Sequence, residues 1–546
     1  MTPDWRLRDV PAALRERYVA AGQWTDDTLG AVLDTGLARA ASQPFTVRSH
    51  TRPWRGTLGE VRTMAQHVAG GLRARGVGPG DAVAFQLPNW VEAAATFYAV
   101  SLLGAVVVPV VHFYGAKEVG YILRRTQVKA LVTAARFGHL DYLANLERLR
   151  PDLPDLELVA VVDDDGHDSG RDREHVAFAD LLRAEAVRAP AKVDPSSPAL
   201  VAYTSGTTSD PKGVIHSHRT IVFEVKQLSA MQASGARPSL VGAPVGHGIG
   251  MLAALLLPVW QGGAIHLIDQ WVPGDVLAAM LEDDLSSGTG ATFFLTSLLD
   301  DPRITDRHLE LMHHMGLGGS AVPYAVAERA TRLGLSVVRL YGSTEHPSTT
   351  GCTHADPLDK RLRTDSRPMP GVELRLVDDR GRDVGVDAPG EIVSRGADCF
   401  VGYTDAALNA ACFDADGWYA TGDVGVLDAE GYVAIVDRKK DIIIRGGENI
   451  SALEVEELLL RMEGVAEVAV VSAPDRRLGE HAAAFVRLLP GTTAPDLRAV
   501  SAHLEAAGLA RQKWPETLQF VEDFPRTPTG KVQKFVLRER LRAAAG

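Results

Sequence analysis

The sequence predicts an α/β protein, with a large N-terminal α/β domain of mainly parallel sheet and a small α+β domain at the C-terminus. Helical and strand periods alternate through the first part of the chain, which implies parallel strands covered by helices. The strands read as short apolar runs, and the last hundred residues hold a helix, two strands and a helix of their own.

Each element has a local cause. Thr57-Leu58-Gly59-Glu60 is a capping box, after which Val61, Met64, Val68 and Leu72 recur at helical spacing until Gly76. Asp81 to Leu87 follows as a strand, Asn89 to Leu103 as a helix, and Ala105 to Val110 as a buried strand ending near Pro109. Ala199 to Ala202 is another apolar run suited to a buried strand. Met251 to Trp260 is the most apolar stretch, but it is about half the length needed to span a bilayer and contains Pro258, so it reads as a buried helix or wall segment. Asp163 to Glu174 reads as an exposed loop. Beyond Ser451, Leu453, Val455 and Leu458 to Leu460 mark an amphipathic helix. Val465 to Val471 and Ala482 to Leu488 read as strands, and Asp496 to Ala507 as a helix.

Composition sets the outer limits. A chain of 546 residues, 46% of them hydrophobic, has ample apolar mass for buried cores and a length prior of roughly three or four structural units. Its net charge of −12 argues against nucleic-acid binding. Cys352, Cys399 and Cys412 lack metal-ligand spacing and are too few for a disulfide scaffold, which fits a reducing cytoplasm. The charged N-terminus, Met1 to Tyr18, has no signal-peptide core, and no transmembrane anchor is expected.

Chemistry is concentrated in Tyr203 to Val214, Tyr-Thr-Ser-Gly-Thr-Thr-Ser-Asp-Pro-Lys-Gly-Val. Thr204, Ser205, Gly206, Thr207 and Thr208 put hydroxyls and one glycine into a turn that closes on Lys212. Such a turn is either a polar surface loop or a phosphate cradle, where backbone N–H groups, hydroxyls and a lysine converge on an anion. It is not a Walker A loop, because Lys212 is followed by Gly213 rather than by a hydroxyl for magnesium.

This segment resembles the signature loop of the adenylate-forming superfamily, which includes acyl-CoA synthetases, luciferases and the adenylation domains of peptide synthetases. Four further segments extend the resemblance in order: Tyr341-Gly342-Ser343-Thr344-Glu345; Tyr419-Ala420-Thr421-Gly422-Asp423; Asp437-Arg438-Lys439-Lys440-Asp441 with Arg445-Gly446-Gly447-Glu448-Asn449-Ile450; and Pro525-Arg526-Thr527-Pro528-Thr529-Gly530-Lys531. One departure is Ser209, where the family usually has glycine.

The resemblance implies an N-terminal AMP-binding domain over 1–439 and a mobile C-terminal domain over 440–546, turning about Lys440. It implies that Thr204 to Thr208 and Lys212 hold the β- and γ-phosphates of ATP, that Thr344 touches the α-phosphate, and that Glu345 ligates Mg2+. Tyr341, Gly342, Gly319 and Ser320 border the nucleotide, and Asp423 accepts the ribose hydroxyls with Arg438 assisting. His247, Gly248 and Gly318 line the acyl pocket. Lys531 bridges the carboxylate and the α-phosphate during adenylation, and Gly446 and Gly447 leave room for the pantetheine arm of coenzyme A. The implied activity is an AMP-forming acid–thiol ligase taking a small-molecule carboxylic acid (fatty, alicyclic or aryl), ATP and CoA. The alternative is an adenylating enzyme that delivers its acyl group to a separate carrier protein.

Other residues read as structural. His216, His218, His308, His313 and His314 lack convincing metal-site spacing. Asp283, Asp284, Glu454, Glu456 and Glu457 read as solvated faces. Gly316 to Ala321 fits a dinucleotide fingerprint only by letter, since no acidic partner or strand-turn-helix context accompanies it.

Overall fold

The computed structural model describes residues 3, 5–162, 175–204, 211–231, 237–446, 448–526 and 531–545. Among these, the largest sheet has eight strands. From one edge these are Gly402–Tyr403, Gly213–Ser217, Pro198–Tyr203, Val106–Pro109, Ala82–Gln86, Ala130–Ala134, Leu158–Val162 and Val176–Ala177. From Pro198–Tyr203 onward every neighbour is parallel, whereas the first two junctions are antiparallel. That antiparallel edge delivers the lysine loop and Tyr403 to one place.

The parallel strands are buried along their lengths, which is why they read as unbroken apolar runs. The helix Val91–Leu102 is buried on every side, and Leu58–Arg73 packs beside it. The Thr57 and Glu60 capping box is present. Phe45, Phe85 and Phe97 are fully buried in this core, each worth about 1.5–3 kcal/mol of burial.

A second sheet pairs Leu240–Val241, Ile265–Ile268, Pro44–Arg48 and Trp54–Thr57. His314–Gly318 and Ser336–Leu340 form a parallel pair, and Val372–Val377, Pro389–Gly396, Tyr419–Leu427 and Val433–Arg438 form an antiparallel sheet. The apolar wall segment is helical as expected, with π-type winding over Met251–Leu256 and Pro258 in the first turn of Leu257–Gln261. Asp163 to Glu174 lies outside the described residues.

Beyond Arg438 a separate sheet orders Glu448–Ile450, Ile443–Arg445, Gly479–Leu488 and Val465–Asp475, with Thr517–Phe520 parallel to Gly479–Leu488. Ala452–Leu459 and Leu497–Ala506 cover one face and Lys534–Ala545 packs on Val465–Asp475. Ser451 and Asp496 cap the first two helices.

Two acidic groups differ from their sequence reading. Glu454 is exposed, but Glu456 is buried, bonded to Lys534 at 2.8 Å and to the Val470 N–H at 2.6 Å. Glu457 is half-buried and accepts from the backbone N–H of Tyr324 in the N-terminal part. Asp283 is held by Arg48 at 2.5 Å, and Asp284 ends its helix in the left-handed region, at φ 53°. Helical periodicity places charges on a face without revealing what covers that face.

Candidate active site

The lysine loop springs from the antiparallel edge. Thr204 follows Pro198–Tyr203; its N–H donates to the Lys212 carbonyl at 3.0 Å, and its hydroxyl accepts from the Lys212 N–H at 3.3 Å. The loop is thus clasped at its base. Ser205, Gly206, Thr207 and Thr208 lie outside the described residues. Lys212 is exposed, with its ammonium 5.2 Å from the centre of the Tyr403 ring.

Facing it is the segment Tyr341 to His346, which leaves the strand Ser336–Leu340. Only glycine fits at 342, because a Cβ there would lie 1.8 Å from the Pro347 carbonyl. The segment is then fixed from below. The Thr344 carbonyl is 2.8 Å from His216 Nε2, and Phe400 N–H donates to the Glu345 carbonyl at 2.8 Å. Burial pushes His216 down to about 4, so the ring is neutral; its Nε2 carries the proton, because a carbonyl can only accept. The Tyr403 hydroxyl donates to Glu345 Oε1 at 2.8 Å.

Beneath these lies a buried polar cluster. His346 Nδ1 meets Ser394 Oγ at 2.8 Å, and its Nε2 is 3.2 Å from Asp398. Glu224 accepts from Ser348 at 2.6 Å and faces Asp398. Burial, reinforced by Asp398, holds Glu224 well above the usual carboxylate range.

The third wall comes from the antiparallel sheet, where Asp423 and Arg438 are register partners. Asp423 Oδ2 accepts from the Tyr341 hydroxyl at 2.7 Å, and Oδ1 lies 3.1 Å from Arg438 Nε. Lys531 lies in the same cleft, within electrostatic reach of Arg438, Asp423, Lys440 and Glu345. Burial and the Arg438 charge, with Lys440 behind it, push its ammonium down to about 8.

His247 lies within electrostatic reach of Lys531. Burial and that ammonium push the imidazole down to about 4, so it is neutral. Its loop is pinned by Asn89, whose Oδ1 accepts from Val245 N–H at 2.9 Å and whose amide donates to Ala243 and Ile268 carbonyls. Gly248 has open space where a Cβ would stand. Gly318 ends the strand His314–Gly318. Gly319 follows at φ +76°, and a Cβ there would lie 2.5 Å from Ile249. Ser320 is half-buried in the loop that precedes the helix Tyr324–Arg332.

On the C-terminal sheet, Arg445 is paired with Glu516 at 2.7 Å beside a cavity of about 570 Å³ that Arg511 and Trp514 also line. Gly446 is left-handed at φ +59°, with its N–H on the Leu478 carbonyl at 2.8 Å. Gly447 lies outside the described residues.

The structure therefore brings Glu345, Asp423, Arg438, Lys440, Lys531 and His247 around one cleft, with Lys212 at the Tyr403 edge. Arg445 and Gly446 stand apart from that group, on the C-terminal sheet. Sequence reasoning missed Tyr403, His216 and Asn89, since each acts through a partner at least 58 positions away.

Residues 38–404 match the AMP-binding enzyme family, and residues 454–531 match the AMP-binding enzyme C-terminal domain. The chain is 31% identical to the medium-chain fatty-acid–CoA ligase of Escherichia coli, over 96% of this chain and 92% of that protein. It is 36% identical to a Rhodococcus jostii CoA ligase named for a methyl-dioxo-octahydroindenyl propanoyl group, covering 88% of this chain and 93% of the other. ATP-bound MatB from Rhodopseudomonas palustris superimposes with a TM-score of 0.83 at 26% identity, covering 94% of this chain and all of that one. Among the described residues no helix is long and apolar enough to cross a membrane. The chain belongs to the AMP-binding enzyme family, and within it to the AMP-forming acid–CoA ligases.

Proposed function

We propose that this ligase activates a fatty, alicyclic or aryl carboxylic acid as its acyl adenylate and passes the acyl group to coenzyme A. The observation that carries this reading is Lys531, a residue of the C-terminal part that lies within electrostatic reach of His247, Glu345, Asp423 and Arg438. A cation is needed there, because the first step brings a carboxylate and a triphosphate together. A carboxylate oxygen attacks the α-phosphorus, the bond to the β-phosphate oxygen breaks, and pyrophosphate leaves. In the second step the thiolate sulfur attacks the acyl carbon, and the C–O bond to AMP breaks.

Lys531 neutralises carboxylate and α-phosphate as they approach, and a donor of this kind typically contributes about 100- to 1,000-fold. Thr204, Ser205, Gly206, Thr207, Thr208 and Lys212 cradle the β- and γ-phosphates. Thr344 meets the α-phosphate, Asp423 takes the ribose with Arg438, and Tyr341, Gly342, Gly319 and Ser320 border the nucleotide. His247, Gly248 and Gly318 face the acid. Glu345 is 7% exposed and is a lone carboxylate beside the phosphate region, a donor set that fits magnesium, which takes one or two carboxylates plus phosphate oxygens. When bound, magnesium supplies positive charge to the phosphate oxygens. Glu345 and Thr344 are held rigidly enough to keep that corner fixed.

The units divide at Lys440, as 1–439 and 440–546. Two clamps support this pivot. On one side Lys439 pairs with Glu391 at 2.7 Å; on the other Asp441 pairs with Arg538 of the final helix at 2.8 Å. Rotation would withdraw Lys531 and bring Arg445, Gly446 and Gly447 forward to the thiol. The three free cysteines fit a reducing cytoplasm.

AMP and pyrophosphate release across fatty, alicyclic, aryl and steroid side-chain acids, each with and without CoA, tests the reading. AMP release that requires both one acid class and CoA supports it. Pyrophosphate release with turnover indifferent to CoA would replace CoA by a carrier-protein acceptor.

A further inference from the structure

Lys212 and Glu345 carry opposite charges at the same end of the cleft, yet they form no ion pair with each other among the described residues. Tyr403 stands between them. Its hydroxyl donates to Glu345 Oε1 at 2.8 Å, and its ring carries the Lys212 ammonium 5.2 Å from its centre. One buried side chain thus touches both charges by different parts of itself.

Tyr403 is itself held rigidly. It is 1% exposed and lies on a two-residue edge strand, opposite Val214. Its N–H donates to Asn409 Oδ1 at 2.8 Å, and Phe400 packs edge-on at 4.7 Å. Phe400 also packs edge-on against the buried Tyr419 at 5.2 Å, which closes the aromatic cluster around Tyr403. The Glu345 carboxylate oxygen can only accept, so the Tyr403 hydroxyl is the donor of this bond.

Opposite charges at one end of a cleft attract, and the attraction grows as water is excluded. A lysine that folded onto Glu345 would remove both from the ligand. The ring blocks that collapse and offers its negative face to the ammonium instead, while the hydroxyl commits one oxygen of Glu345 and thereby orients the carboxylate. We propose that Tyr403 is a positioning residue that keeps Glu345 and Lys212 apart and presents each to the metal–nucleotide. This rests on the reading of Glu345 and Lys212 as the metal and phosphate contacts.

Equilibrium binding of ATP to the full-length protein without acid, in EDTA and across a magnesium titration, tests this without turnover. Tyr403→Phe keeps the ring and loses the hydroxyl. It should bind ATP in EDTA within about twofold of wild type but need about tenfold more magnesium for the same gain, the scale of one hydrogen bond to a charged group. Tyr403→Leu loses both parts and should also bind ATP in EDTA about tenfold more weakly. Adding Glu345→Gln should restore that binding, because the collapsed pair can no longer form. Wild-type magnesium dependence in Tyr403→Phe would overturn the proposal, as would a Tyr403→Leu defect that Glu345→Gln leaves unchanged. If Tyr403→Leu does not fold, Tyr403→Phe alone decides. Glu345→Gln in the wild-type background checks the underlying reading separately: undiminished magnesium dependence there would reject Glu345 as the metal contact, whatever Tyr403 does.

Discussion

The wall beneath Glu345 and the part that delivers Lys531 are built on opposite plans. Thr344, Glu345 and His346 are fixed by His216, Phe400, Tyr403 and Ser394, through short hydrogen bonds from buried groups. Lys531 belongs to a part with its own core, joined through residues 438–441 and touching the N-terminal part through polar contacts. Arg461 lies over the Tyr324 ring at 5.8 Å, and Glu457 accepts from the Tyr324 N–H. The Glu345 corner is tied down by buried groups, whereas the cation that we propose for activation sits on the part that we propose to rotate. The proposed two-step reaction would use that asymmetry, because a group serving adenylation would have to make way for the thiol.

The strongest way to break the contrast is to freeze the joint. Lys440→Pro fixes φ at the proposed pivot, and it should leave pyrophosphate release within a few-fold of wild type while slowing thioester formation about 100-fold, on the scale of losing a catalytic contact. Equal loss of both steps, measured by separate half-reaction assays, would place the pivot elsewhere.

A second test uses pH. In the proposed role Lys531 must be charged to neutralise the approaching anions, and its ammonium is pushed down to about 8. The charged form is complete below that value and is lost as pH rises through it. Adenylation at low ATP should therefore fall about tenfold per pH unit above about 8, since each unit removes a factor of ten in the protonated fraction. Lys531→Arg, which stays charged, should have a lower rate without that fall. A wild-type profile flat to pH 10 would contradict the assignment.

The smallest effect concerns the cross-domain contacts. Arg461→Ala removes a cation–π contact of about 0.5–1 kcal/mol, and should lower adenylation relative to thioester formation about threefold. Unchanged partition between the steps would mean that these contacts do not bias the orientation.

Much of the fold was legible because its causes are local. The capping box at Thr57 and Glu60 and the apolar runs at Ala82–Gln86 and Pro198–Tyr203 needed no distant information. Glu345, Asp423 and Lys531 stood out through residue order within short segments. What escaped was tertiary. His216 reads as an ordinary histidine until Thr344, 128 positions later, lies over it. Tyr403 gains its meaning from meeting strands that start at 213 and a carboxylate at 345. Glu456 and Glu457 read as solvent-facing because the final helix and Tyr324, which cover them, come from elsewhere in the chain.

The most direct measurement of the central claim is single-turnover kinetics of Lys531→Ala, split into adenylate formation from acid and ATP and thioester formation from supplied acyl adenylate. A step-specific cation predicts a loss of about 100- to 1,000-fold in the first step, with the second within a few-fold of wild type. Equal losses in both steps, or an unimpaired first step, would contradict it.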